Sequence, residues 1–402
     1  MPGHDVHTEW GEGRMAKIAK VEVLPIAMPA DKTWFESGFD ETIVVRITDE
    51  NGLVGFGDAY ASAPAVGAFL TQPTTSMWSR NIPEYLIGKE PLETARLWDG
   101  MYEGTLFPGR RGIAIHAISA VDIALHDLAA RQIGVPVYKL LGGNRREKVM
   151  PYATIFPGLV RDRTMKQMMK IVEKQFDQAL ALGFRALKFE VLFYEHVTDR
   201  ELVDLILEGR RMVGDDVLMP VDFGYRWKNW HDAKWVLDRV ADANVYFAEA
   251  PLQHDDLAGH ARLAAQSPIR IGGAEFAATR WECLEWLERG KVSVVQAGIS
   301  RAGGFTELRR IADMAELYGA EVVTLAWHTG ITAAAARQWQ AATANAPVIE
   351  YFPPDLFDSP LRRHLVSPEP AVVDGYIALP TAPGLGIELN EEIIRKYARP
   401  LT

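Results

Sequence analysis

Apolar and polar positions along this chain follow two successive rhythms. From Ile18 to Met28 and from Thr42 to Thr48 the residues alternate or run apolar, as strands do. Asp49-Glu50-Asn51-Gly52 is a hairpin turn leading into a third strand, Leu53-Val54-Gly55-Phe56. Residues 61–145 then read as helices. From Gly112 to Gln132, Ile115, Ile118, Val121, Ala124, Leu125 and Leu128 recur at three and four spacing, and Gly134-Val135-Pro136 ends that helix. His116 and His126 lie on it and are read as structural.

From residue 149 the rhythm changes to short apolar strands alternating with helical stretches. The strands fall at 149–154, 186–191, 217–223, 244–250, 269–275, 293–299, 321–327 and 346–352. Near-continuous apolar strands separated by helices belong to a parallel sheet covered on both faces, and eight of them predict a closed barrel. No full-length helix pattern follows the eighth. A hairpin-like piece, Val372 to Leu379, is expected to return to the first domain. The predicted organisation is a flexible arm at 1–14, an α+β capping domain at 15–145 joined by 376–402, and a barrel at 146–375.

Composition bounds the function. The chain has 402 residues, 48% hydrophobic and 24% charged, with a net charge of −10. No basic excess is available to neutralise phosphates, so nucleic acid is not an expected partner. No apolar run approaches the ~18 residues of a membrane span. The single cysteine, Cys283, excludes an internal disulfide framework, fits a reducing cytoplasm and reads as buried filler.

Candidate chemistry sits at the strand ends. Asp222, Glu249 and Glu275 each close an apolar run and lie 27 and 26 residues apart, about one strand-and-helix unit per step. Successive strand ends of a parallel barrel face one rim. Three acids there would converge on a hard cation such as Mg²⁺. Taken singly, each could instead cap its following helix. Lys188 and Glu190 share a face at the end of the second strand. Lys188 is a candidate base if neighbouring cations lower its pKa, and otherwise one half of an ion pair with Glu190. Ser300-Arg301-Ala302-Gly303-Gly304 offers backbone N–H groups and Arg301 to an anion, or is only a tight turn. His328 ends the seventh strand as a candidate acid or base, and Glu350 ends the eighth. Glu190 and Tyr152 stand next in line as the base. The Asp31–Gly38 loop, with Trp34, is either a lid or a cover for its own core.

Together these residues resemble the enolase superfamily, in its mandelate racemase and muconate lactonizing enzyme branch. The resemblance rests on Ala186-Leu187-Lys188-Phe189-Glu190, the three acids, Ser300 to Gly304, His328, Glu350 and Val135 to Gly143. It implies a (β/α)7β TIM-type barrel with an α+β cap built from both chain ends. It also implies Mg²⁺ held by Asp222, Glu249 and Glu275, with Lys188, His328, Glu350 and Glu190 as catalytic groups and Tyr152, Trp34 and Arg301 against the substrate. The expected reaction is removal of the proton α to a carboxylate through an enediolate, most simply in dehydration of a sugar acid. Racemisation or cycloisomerisation, or a non-catalytic ligand-binding member, are the alternatives. The expected partners are a small-molecule carboxylate and further copies of the chain. Three positions depart from the family pattern. Glu190 stands where a second lysine is usual, Gly298 where an aspartate commonly pairs with the histidine, and Gly224 where asparagine is common.

Overall fold

A computed structural model describes residues 15–32, 34–157, 164–192 and 197–401. The arm at 1–14, and Thr33 within the Asp31–Gly38 loop, lie outside the described residues. The chain opens with an antiparallel sheet of β1 (Ile18–Pro29), β2 (Phe39–Asp49) and β3 (Val54–Ala59). Its hairpin forms at the predicted turn, where Asp49 Oδ1 accepts from the N–H groups of Asn51 and Leu53. The helix Ile113–Ile133 packs on this sheet and ends at Gly134, whose left-handed conformation caps it. Gly55 and Gly57 let β3 approach that helix closely. A Cβ at Gly57 would stand 2.2 Å from the Ala120 carbonyl oxygen.

The helix Ile113–Ile133 is also, among the described residues, the one helix long and apolar enough to cross a membrane. It is not a continuous apolar run, because His116, Ser119, Asp122, His126 and Asp127 interrupt it. Its 18-residue window is 89% buried inside the protein, so its apolarity belongs to the core.

After β4 (Lys148–Val149), the eight predicted barrel strands all form. They are β5 (Pro151–Ile155), β6 (Leu187–Glu190), β7 (Met219–Asp222), β8 (Val245–Glu249), β9 (Ile271–Gly273), β10 (Val294–Val295), β11 (Glu321–Val322) and β12 (Ile349–Tyr351). Every pairing is parallel, in the order β11-β10-β9-β8-β7-β6-β5-β12. The Glu350 N–H donates to the Thr324 carbonyl at 3.1 Å, linking the two ends of the ladder. A helix follows each of the first seven strands among the described residues, and only the five-residue helix Pro360–His364 follows the eighth. Tyr152, Ala186, Phe247, Val294, Val323 and Val348 fill the barrel interior. Cys283 is fully buried, as expected.

The tail divides its contacts. After β13 (Val366–Ser367), the hairpin of β14 (Val372–Val373) and β15 (Tyr376–Ala378) turns at Asp374-Gly375 and pairs with β4. It meets the edge of β4 beside the barrel, not the first domain to which it was expected to return. β16 (Glu388–Leu389) pairs with β13. The return to the first sheet is made by the helix Glu391–Tyr397. Beside it the Arg399 N–H donates to the Pro25 carbonyl, and Glu391 meets Arg46 at 3.0 Å.

Candidate active site

The three acids fall where strand spacing puts them. Glu190, Asp222 and Glu249 lie side by side, Glu190 registered against Asp222 on β6 and β7, and Asp222 against Glu249 on β7 and β8. Glu275 follows β9 by two residues. Around this rim, Tyr225, Ala250, Ala274 and His328 hold positive φ without being glycine. Such backbone costs about 1–3 kcal/mol per residue and gathers at functional sites.

Lys188 occupies the centre. Its Nζ lies 2.7 Å from Glu350, 3.2 Å from Glu249, 3.4 Å from Asp222 and 3.8 Å from Glu190. Burial works against the ammonium, but Glu249, Glu350 and Asp222 outweigh it and hold the group well above the usual lysine range. The side chains that set its charge are carboxylates, while the lowered pKa was expected beside a cation. The anticipated Lys188–Glu190 ion pair is present but is the longest of the four contacts. Glu350 also accepts from Thr154 Oγ1 at 2.7 Å.

Charge is left over. Burial raises Glu249 and Glu190 well above the carboxylate range; Asp222 adds to both, while Lys188 opposes. Both Glu249 carboxylate oxygens have Lys188 Nζ as their one cationic neighbour, at 3.2 Å. Burial and Asp222 also raise Glu275, which the Tyr225 hydroxyl and Arg301 partly offset. The Tyr225 hydroxyl donates directly to Glu275 Oε1. Among the described residues no three acidic, His or Cys side chains already enclose an ion-sized space. By donor type and number, however, Asp222, Glu249 and Glu275 fit a hard divalent cation: all offer oxygen, and one lysine cannot balance five acids.

His328 lies on the other side of the mouth. Its Nε2 is 3.4 Å from Asp40 Oδ1, and its ring packs on Tyr60 at 4.9 Å. The missing carboxylate at Gly298 thus has a counterpart in the first sheet. Arg301 lies over the rings of Tyr60 and Phe276, at 4.7 and 5.3 Å, and its Nε is buried without a partner. The N–H groups of Arg301 to Gly304 are all taken within the protein, those of Arg301 and Ala302 by the Gly298 carbonyl. Gly303 N–H donates to Ser119 Oγ and Gly304 N–H to the Ile299 carbonyl, so the loop fastens the barrel to the helix Ile113–Ile133.

The remaining candidates separate. Trp34 leans edge-on against Phe357 at 4.6 Å, within an aromatic group that also includes Phe352 and Trp327. Tyr152 is wholly buried in the barrel interior with its ring 5.8 Å from Lys188, and its hydroxyl has no hydrogen-bond partner. His126 bonds within its own helix to Asp122, as a structural histidine does. His116 lies nearer the mouth, where burial and Arg301 lower it to about 4. Asp40, Tyr60 and Tyr225 were missed by sequence reasoning. None belongs to a strand-end pattern, and only the chain's path through space brings them here.

Residues 16–142 match the mandelate racemase / muconate lactonizing enzyme N-terminal domain, and residues 172–393 match the enolase C-terminal domain-like family. A D-galactarolactone cycloisomerase of Agrobacterium fabrum is 30% identical over 89% of this chain and 91% of its own length. An arabinonate dehydratase of Saccharolobus solfataricus is 31% identical over 89% and 90%. Among solved structures, a protein proposed to be a racemase is 42% identical, with TM-score 0.89 over 95% of this chain and 98% of its own. A racemase from Streptomyces coelicolor A3(2) with bound magnesium is 26% identical, with TM-score 0.80 over 95% and 100%. Both halves of the fold, and relatives that span nearly the whole chain, agree: this protein belongs to the enolase superfamily, in its mandelate racemase and muconate lactonizing enzyme branch.

Proposed function

We propose that this chain is a Mg²⁺-dependent dehydratase of a sugar acid, removing the proton α to the carboxylate and expelling the β-hydroxyl. The observation that carries the reading is the set of acids on successive strand ends around Lys188, with His328 across the mouth. Asp222, Glu249 and Glu275 would hold the ion. When bound, Mg²⁺ supplies the positive charge that offsets charge developing on the substrate carboxylate.

The protein's own groups do the rest. His328 takes the α-proton, the electron pair of the broken C–H bond forms the new double bond, and the β C–O bond breaks with its pair on the leaving oxygen. The hydroxyl leaves as water with a proton from an acid at the mouth, and the resulting enol becomes a 2-keto-3-deoxy acid. Glu190 and Glu350 are the acids facing that space, and Lys188 keeps them and the ion-holding carboxylates together. Arg301 and Trp34 rim the substrate's entry, and Tyr152 supports Lys188 from beneath. Cycloisomerisation is the second reading, favoured by the D-galactarolactone cycloisomerase relative. It shares α-proton removal and differs in the C–O bond that breaks.

A library of acid sugars incubated with the protein and Mg²⁺ tests the reaction. Formation of 2-keto-3-deoxy products supports dehydration. Ring opening of a lactone supports the second reading. Absence of both product and α-proton exchange in deuterated solvent, while Mg²⁺ binds, would leave a ligand-binding protein.

A further inference from the structure

We propose that Asp40, on the N-terminal sheet, is the positioning residue that sets the tautomer of His328. This rests on the reading of His328 as the group that takes the α-proton.

Asp40 is the second residue of β2, just after the Asp31–Gly38 loop, and is completely buried. Its Oδ2 is occupied: it accepts from Ser359 Oγ at 2.5 Å and from the Leu361 N–H at 3.0 Å. Those two donors come from the segment after the last barrel strand, so the carboxylate is pinned between the two parts of the fold. Oδ1 is buried, makes no other hydrogen bond and faces His328 Nε2 at 3.4 Å.

With Oδ2 accepting from Ser359 and Leu361, the carboxyl is turned so that Oδ1 accepts from the ring nitrogen facing it, and that nitrogen carries the proton. Nε2 is then the N–H, and Nδ1 keeps its lone pair. Nδ1 is buried with no hydrogen-bond partner, which leaves it available to take a proton. A distance of 3.4 Å is long for a hydrogen bond, but catalytic contacts without ligand commonly tighten on binding.

The rest of the histidine is held from the same side. Tyr60 covers its ring face. Thr329, the next residue, donates to Asp58 on β3 at 2.5 Å and accepts from the N–H groups of Ile331 and Thr332. Thr332 donates to the other Asp58 oxygen at 2.8 Å. Asp40, Asp58 and Tyr60 all lie on or beside the first sheet. The neighbouring barrel strand offers only Gly298, which has no side chain. The proton-transfer group is therefore assembled only where the N-terminal sheet rests on the barrel.

The test uses the full chain labelled with ¹⁵N-histidine, with the His328 signals assigned by their loss in His328→Asn. Wild type should show the Nε2–H tautomer. Asp40→Asn keeps an oxygen for Ser359 and Leu361 and turns an NH₂ toward Nε2, so the tautomer should invert to Nδ1–H. In the same variant kcat should fall about 10–100-fold, the usual cost of losing a group that orients a functional histidine. KM should stay near wild type. Ser359→Ala, which frees one of the two anchors, should lower kcat in the same direction by less. An Nδ1–H tautomer in wild type overturns the proposal, as do an unchanged tautomer and kcat in Asp40→Asn. The tautomer is read without turnover. Absence of turnover in wild type would therefore overturn the proposed reaction while the NMR signal still decides the role of Asp40.

Discussion

Lys188 Nζ lies 2.7 Å from Glu350 Oε1, which joins the second barrel strand to the eighth across the mouth. Both residues are almost fully buried, and the same ammonium meets Glu249, Asp222 and Glu190 within 4 Å. Lys188 is thus the internal counter-charge of the site.

Replacing Lys188 with Met should show this. Removing one partner of a buried ion pair costs about 3–5 kcal/mol, because the charges left behind are uncompensated. The thermal midpoint of Lys188→Met should fall in the absence of Mg²⁺ and recover in part when Mg²⁺ is added. Turnover should drop by about 10²-fold or more. A midpoint equal to wild type without Mg²⁺ would show that the acids do not need the lysine.

Glu249→Gln should abolish Mg²⁺ binding by calorimetry. Glu249 is registered against Asp222 and shares the single lysine, Lys188, with three other carboxylates. The substitution also removes one of several repelling charges, so a cooperative melt should persist, and the loss of binding is not a loss of fold. Unchanged affinity would move the ion elsewhere.

His328→Asn should lower kcat by about 10²–10⁴-fold, the range of a positioned acid or base. Exchange of the substrate α-proton with solvent should be lost in parallel. A variant that exchanged at the wild-type rate would shift proton transfer to Glu190, with Tyr152 next.

His116 makes a prediction about pH. Burial and Arg301 lower it from 6.5 to about 4, so the unfolded chain takes up this proton first. Its contribution to stability is full above about pH 6.5 and is lost as pH falls through about 4, in total about 3 kcal/mol. Denaturant titrations of wild type and His116→Asn between those values should diverge, the wild type losing more stability as the solution is acidified. Parallel curves would place the histidine in water.

Gly57→Ala tests how the first sheet meets its helix. The added methyl would stand 2.2 Å from the Ala120 carbonyl oxygen and 2.8 Å from the Ala124 nitrogen, both backbone. Neither can rotate away, so β3 must shift. The expected loss is about 1–3 kcal/mol in chemical denaturation, typical of an overpacked core. Wild-type stability would mean that sheet and helix are less tightly apposed.

The sequence by itself determined the elements and the acids on the barrel rim. Strand and helix periods are local, and a parallel barrel repeats one unit per strand, so Asp222, Glu249 and Glu275 announce themselves by spacing. Their neighbours in space carry no such period. Asp40 reaches Ser359 across 319 residues of chain, and Tyr225 reaches Glu275 across 50. Lys188 looked like a base because strand alternation shows which way it points, while its charge state depends on carboxylates from four other positions. The Ser300–Gly304 loop looked like an anion cradle, yet Ser119, on a helix of the other part of the fold, takes one of its N–H groups. Local chemistry sets where a side chain stands on its strand; only the packing of the N-terminal sheet against the barrel decides what it faces.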